Sequence, residues 1–171
     1  MEKKKISTKT IVIIVICIVL LLTLIGGGVY WYIFVLNADK NSPEEVLTQY
    51  VSYINEKDFE SMYTLLSDST KTRVDKQTYL DRNSNIYNGI EATNVTISDL
   101  NYDKENRKLT YSMSMDTMAG NITFSNKATF DRQDDNKYYL NWYSQLIFPD
   151  LQSDYKVRVS TTQGKRGAIL A

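Results

Sequence analysis

Residues 11–36 carry no charge over 26 positions. Beyond residue 42 the apolar positions fall first at a helical period and then at a strand period. Crossing a hydrocarbon core of about 30 Å takes roughly 20 apolar residues, so residues 11–36 predict one membrane-spanning helix. Its first half is almost entirely β-branched residues and leucine, and each such residue favours insertion by about 0.3–0.6 kcal/mol near the bilayer centre. Tyr30, Trp31 and Tyr32 cluster at the far end, as an interfacial aromatic belt does. A cleaved signal peptide has an apolar core of about 7–15 residues; this run is longer, and the helix is expected to be retained. Gly26, Gly27 and Gly28 loosen its outer end or allow close packing.

After a short polar linker, residues 37–41, Ser42-Pro43-Glu44-Glu45 reads as a helix start. Serine caps, proline suits the first helical position, and two acids face the positive end of the dipole. Val46, Leu47, Tyr50, Val51 and Ile54 follow at helical spacing. Asp58 is placed to cap a second helix carrying Phe59, Met62, Tyr63 and Leu66 on one face. Asp75 does the same for a third, with Tyr79, Leu80, Ile86 and Tyr87, and Gly89 is its expected stop.

The period then drops to 2. Val95 and Ile97 alternate with polar neighbours, and Leu109, Tyr111, Met113 and Met115 mark the clearest strand. Ile122, Phe124, Ala128 and Phe130 form another, and Tyr138, Leu140 and Trp142 a fourth. The breaks at 103–106, 119–121 and 133–136 are polar and turn-like. Helices followed by an antiparallel meander predict an α+β domain over residues 42–150, with its helices packed on one face of the sheet. Three helices before a curved antiparallel sheet is the order of the cone-shaped NTF2-like fold, which does not by itself fix function. Asp154 to Val159 alternates again and predicts the first strand of a further unit over residues 151–171.

Charge changes the picture at one end only. The 20 basic and 20 acidic residues cancel. Lys3, Lys4, Lys5 and Lys9 precede the apolar run within residues 1–10, which orients this tail to the cytoplasm. From Thr10 onward there are 16 bases and 19 acids, net −3. A mildly acidic domain without a basic stripe argues against nucleic acid as a partner. There is no histidine, which removes the commonest general base and metal ligand. The single cysteine, Cys17, stands inside the apolar run and is read as filler in lipid; Ile16 occupies the place where a lipoprotein cleavage site has a small residue.

The last thirty residues carry the specific signal. Trp142 closes the fourth strand, Ile147-Phe148-Pro149 follows, then Lys156-Val157-Arg158-Val159, then Arg166-Gly167-Ala168-Ile169-Leu170. In this order, behind a basic tail, one apolar helix and a Ser-Pro-Glu-Glu start, the chain resembles class B penicillin-binding proteins of the methicillin-resistance type. These carry an NTF2-like N-terminal domain. The resemblance runs from Lys3 to Ala171. It implies structural motif residues at Trp142, Phe148, Pro149, Lys156, Val157, Arg166 and Gly167. It further implies a parent D,D-transpeptidase that cross-links peptidoglycan, is acylated by β-lactams through a catalytic domain lying beyond Ala171, and works with cell-division or elongation proteins in a Gram-positive cell membrane. No cofactor is implied.

The expected catalytic motifs are Ser-x-x-Lys, Ser-x-Asn and Lys-Thr-Gly. Ser153-Asp154-Tyr155-Lys156 spells the first, but in a polar loop and without the other two; Lys71-Thr72-Arg73 is the nearest approach to the third. No catalytic or metal-binding residue is assigned. Asp131, Asp134 and Asp135 read as a solvated hairpin turn, since calcium needs more oxygen ligands at ordered spacing. Asn94 and Asn121 open glycosylation-type triplets. Tyr50, Tyr63, Tyr79, Tyr111 and Tyr138 fall on apolar faces and predict core or a pocket lining. Two other readings remain open: a free-standing anchored module binding a small molecule or partner in its cone, and an NTF2-like enzyme using carboxylates and tyrosines.

Overall fold

A computed structural model describes residues 8–158 and 160, with side chains from Ile16 onward. The chain divides into two units between Asp39 and Lys40. In the first, helix α1 spans Thr8–Leu36. The part with described side chains, Ile16–Leu36, is 21 residues with a mean hydropathy of 2.2 and is exposed along its whole length. At 1.5 Å per residue it reaches about 30 Å, long and apolar enough to cross a membrane.

The second unit opens with α2, Pro43–Glu56. Ser42 accepts from the Glu45 N–H at 3.2 Å, and the Glu45 carboxylate accepts from the Ser42 N–H at 3.0 Å. This reciprocal capping box satisfies two of the donors a helix start leaves over. Lys57, at φ +58°, ends the helix in a left-handed turn. Helix α3, Phe59–Thr64, is capped by Asp58, and α5, Lys76–Gly89, by Asp75. The three expected helices are therefore present, with one addition. Leu66 does not extend α3; it leaves the helix and bridges Leu140, whose N–H donates to the Leu65 carbonyl and whose carbonyl accepts from the Ser67 N–H, both at 2.9 Å. Ser67 then caps an extra short helix, α4, Asp68–Arg73. Its residues are polar throughout, so no apolar period announced it. Its sequence signals are the serine cap, Asp68 in the first turn and Lys71 and Arg73 in the last.

Four antiparallel strands follow in the order β1-β2-β3-β4: Thr93–Asp103, Lys108–Thr117, Gly120–Arg132 and Tyr138–Asn141. Leu109, Tyr111, Met113 and Met115 of β2 stand opposite Ala128, Asn126, Phe124 and Ile122 of β3, which puts one apolar stripe on one face. Gly120, at φ +106°, makes the tight turn between them, a conformation that disfavours any side chain. Strand β1 carries one extra residue in each of two places, between Thr93 and Thr96 and between Ser98 and Asn101. Asn94 at φ +49° and Asp99 at φ +54° sit in those bulges, which bend the strand and increase the sheet's twist. Helix α2 packs across β1 and β4, closing the concave face over Leu47, Tyr50, Ile54, Met62, Met113, Met115 and Leu140.

The strand expected from Asp154 is not formed in the described residues. The chain from Gln152 to Arg158 has neither helix nor strand. Its carbonyls at Gln152, Ser153 and Tyr155 are taken by the Arg82 side chain in place of a neighbouring strand.

Candidate functional site

Two regions concentrate polar chemistry. The first is the interior between α2, α5 and the sheet. Tyr50, Tyr79, Tyr87, Tyr111 and Trp142 are all buried here, the most exposed at 4%. Helical spacing on α2 and α5 and the inward positions of β2 aim the four phenols at a common centre. Trp142 meets Tyr79 edge-on, and Phe59 stacks on Tyr87. The Tyr50 hydroxyl lies within electrostatic reach of Tyr79, Tyr111 and the Trp142 indole nitrogen. None of these polar atoms meets hydrogen-bond geometry among the described residues. Asn83, wholly buried, donates to the Tyr79 carbonyl at 2.8 Å. Burial raises the pKa of all four tyrosines; the proximity of other tyrosines adds to this for Tyr50 and Tyr87, while at Tyr79 the Tyr50 hydroxyl opposes the rise and Tyr87 adds to it. They are neutral phenols at physiological pH, able to donate and accept hydrogen bonds but poor as general bases.

The second region is the chain's exit from the sheet. Trp142 donates its backbone N–H to the Thr70 hydroxyl at 3.1 Å, and its carbonyl accepts from Arg73 at 2.6 Å. The Arg73 guanidinium lies 3.9 Å from the centre of the Tyr143 ring. A 3-10 turn, Ser144–Leu146, then covers the part of β3 that β4 leaves unpaired. Asn126 seals this contact by donating to the Gln145 and Leu146 carbonyls at 2.9 and 3.3 Å. Phe148 packs on Phe124 with centroids 5.6 Å apart. Pro149 is exposed on the rim of an open groove of about 530 Å³ that also includes Asp99, Ser112, Lys127 and Gln145. Lys156 is exposed, and Val157 is half-buried against the core. Of the motif residues read from sequence, Trp142, Phe148, Pro149, Lys156 and Val157 thus follow one continuous path out of the domain; Arg166 and Gly167 lie outside the described residues.

The other candidates have local roles. Asp131 accepts from Ser69 and Asn141, and Asp135 from the Tyr139 hydroxyl. With Asp68, Asp134 and Arg107 they border an open groove of about 620 Å³. Among the described residues no group of three metal-ligating side chains is placed to hold an ion. Asn94 and Asn121 both donate to Asp116. Ser153 lies in a turn, held through its carbonyl, and Lys156 follows it. Sequence reading missed Thr70 and Arg73 on the short α4 and Arg82 on α5, since single polar residues leave no periodic trace.

A capped helical layer closed over a bulged, curved four-stranded sheet, with an aromatic exit through Trp142 and Phe148, defines the class. The chain belongs to the family of NTF2-like N-terminal transpeptidase domains, whose model matches residues 42–156. Among curated proteins it is similar to Penicillin-binding protein 3 of Bacillus subtilis (strain 168), at 28% identity over 138 residues. That match takes in 75% of this chain and 21% of the relative, so the chain spans about a fifth of that protein's length.

Proposed function

We propose that this chain is the membrane anchor and extracytoplasmic spacer of a penicillin-binding peptidoglycan D,D-transpeptidase. The observation that carries the reading is the family match over residues 42–156 behind a 21-residue apolar helix. The partial coverage of a relative named as a penicillin-binding protein supports it. In this reading residues 1–10 are a cytoplasmic tail, 11–36 the membrane helix, 37–41 a linker and 42–150 the NTF2-like domain. Residues 151–171 begin the pedestal or dimerisation region that leads to a catalytic domain. Lys3, Lys4, Lys5 and Lys9 hold the tail in the cytoplasm. Catalysis, β-lactam acylation and contact with cell-division or elongation proteins belong to the whole protein, in the membrane of a Gram-positive bacterium.

Labelled penicillin tests the assignment. The 171-residue chain stays unlabelled, whereas the product of the coding sequence continued past Ala171 is acylated. Acylation of the short chain, or a stop codon directly after Ala171, overturns the reading. Orientation is tested separately with Ser7→Cys and Ser153→Cys. A membrane-impermeant maleimide on intact cells labels only the second, and labelling of the first reverses the topology.

A further inference from the structure

Arg82 gathers three carbonyls of the departing chain. Its Nη1 donates to the Ser153 carbonyl at 2.8 Å. Its Nη2 donates to the Gln152 carbonyl at 2.7 Å and to the Tyr155 carbonyl at 3.3 Å. These carbonyls converge because residues 152–155 form a β-turn, closed by the Tyr155 N–H on the Gln152 carbonyl at 3.2 Å. The turn has no strand or helix to satisfy it. On either side the segment is fixed by side chains: Leu151 is buried at 6%, and Val157 packs against the core. Arg82 itself is placed by α5, one residue before the wholly buried Asn83 and three after Tyr79. Helix position therefore dictates where the guanidinium stands.

We infer that Arg82 is a positioning residue: its planar fork locks the 152–155 turn to α5 and so sets the direction in which the chain leaves the domain. A spacer needs such a device, because Leu151 and Val157 alone hold two side chains and leave the backbone between them free to swivel. A fork of fixed geometry can bind several carbonyls at once, whereas a lysine offers one point charge on a flexible stem. That a catalytic domain lies beyond this exit rests on the proposed function; the lock itself does not.

The test uses the full 171-residue chain in lipid nanodiscs, as wild type, Arg82→Ala and Arg82→Lys. Tryptic cleavage after Lys156 is timed by mass spectrometry, alongside cleavage in the β1–β2 turn after Lys104 and Arg107 as a control for the fold. Hydrogen exchange of the Tyr155 amide gives a second readout, because its acceptor is shared with Arg82. Arg82→Ala is expected to be cut after Lys156 at least tenfold faster and to exchange Tyr155 faster by a similar factor. The control sites stay unchanged, and Arg82→Lys falls between. Equal cleavage after Lys156 in all three proteins overturns the inference. Parallel acceleration at the control sites also overturns it, since Arg82 would then serve the stability of the whole domain. Neither result bears on penicillin labelling, so this inference and the proposed function fail separately.

Discussion

The Trp142 indole meets the Tyr79 ring edge-on, with centroids 5.1 Å apart and planes at 76°. This contact joins the end of the sheet to the middle of α5, and both residues are buried. Edge-to-face pairs contribute about 0.5–1.5 kcal/mol beyond the area they bury. Trp142→Ala removes the pair and leaves a cavity, so it is expected to cost about 3–5 kcal/mol. Trp142→Phe keeps a ring at the contact and costs less, because the indole N–H gives up no hydrogen bond of ordinary geometry. Urea unfolding followed by near-ultraviolet circular dichroism measures both. A loss under about 1 kcal/mol for Trp142→Ala would remove this contact from the core.

The buried phenols predict an alkaline transition. Burial raises Tyr50, Tyr79, Tyr87 and Tyr111 above the ordinary tyrosine range. Below about pH 10 both folded and unfolded states keep these protons, and stability is flat with respect to them. Above it the unfolded chain releases protons that the folded chain retains. Stability then falls by up to about 1.4 kcal/mol per pH unit for each tyrosine. Absorbance at 295 nm should show these four tyrosines failing to ionise until the domain unfolds. Smooth titration of all of them with the fold intact would mean that the interior is open to water.

Acid acts through the caps. Hydrogen bonds from Ser61 hold Asp58 below the usual carboxylate range, and those from Thr78 do the same for Asp75, in each case the side-chain hydroxyl first and then the backbone N–H. A depressed folded pKa contributes stability that is present above the unfolded value, near pH 4, and is lost as pH falls through the folded one. Asparagine also caps helices but does not titrate. The double variant Asp58→Asn, Asp75→Asn should therefore stay folded at neutral pH and lose part of the wild type's acid dependence below about pH 4. An unchanged acid limb would place that dependence on other carboxylates.

The helix starts at Ser42, Asp58 and Asp75 and the alternation in β2 were legible because each is a local signal. A cap acts within three residues, and a strand with one buried face must alternate. Leu66 misled for the opposite reason. It continues the helical spacing of Phe59 and Met62, yet a bridge to Leu140, 74 residues away, draws it out of α3. Val157 likewise fits a strand pattern, but its neighbours' carbonyls are claimed by Arg82 on α5. The path through Trp142, Phe148 and Pro149 could be marked from sequence because aromatic and proline residues stand out. What fixes that path, Thr70 and Arg73 on a wholly polar helix, could not.

Asn55 supplies the last prediction. Its side-chain amide imitates a neighbouring strand: Oδ1 accepts from the Val95 N–H and Nδ2 donates to the Val95 carbonyl, both at 2.8 Å. It thereby pairs the outer edge of β1 beside the first bulge, where Val95 is buried at 2% and water cannot readily replace a lost partner. Asn55→Leu leaves both backbone groups unpaired and is expected to cost about 1–3 kcal/mol. Asn55→Asp keeps the acceptor, loses the donor, and turns a charge toward the Val95 carbonyl, so it should cost at least as much at neutral pH and recover in part once the carboxyl is protonated. Hydrogen exchange at the Val95 amide distinguishes the two variants. It should accelerate strongly in Asn55→Leu and little in Asn55→Asp, and slow exchange in Asn55→Leu would mean that the edge is closed by something other than this amide.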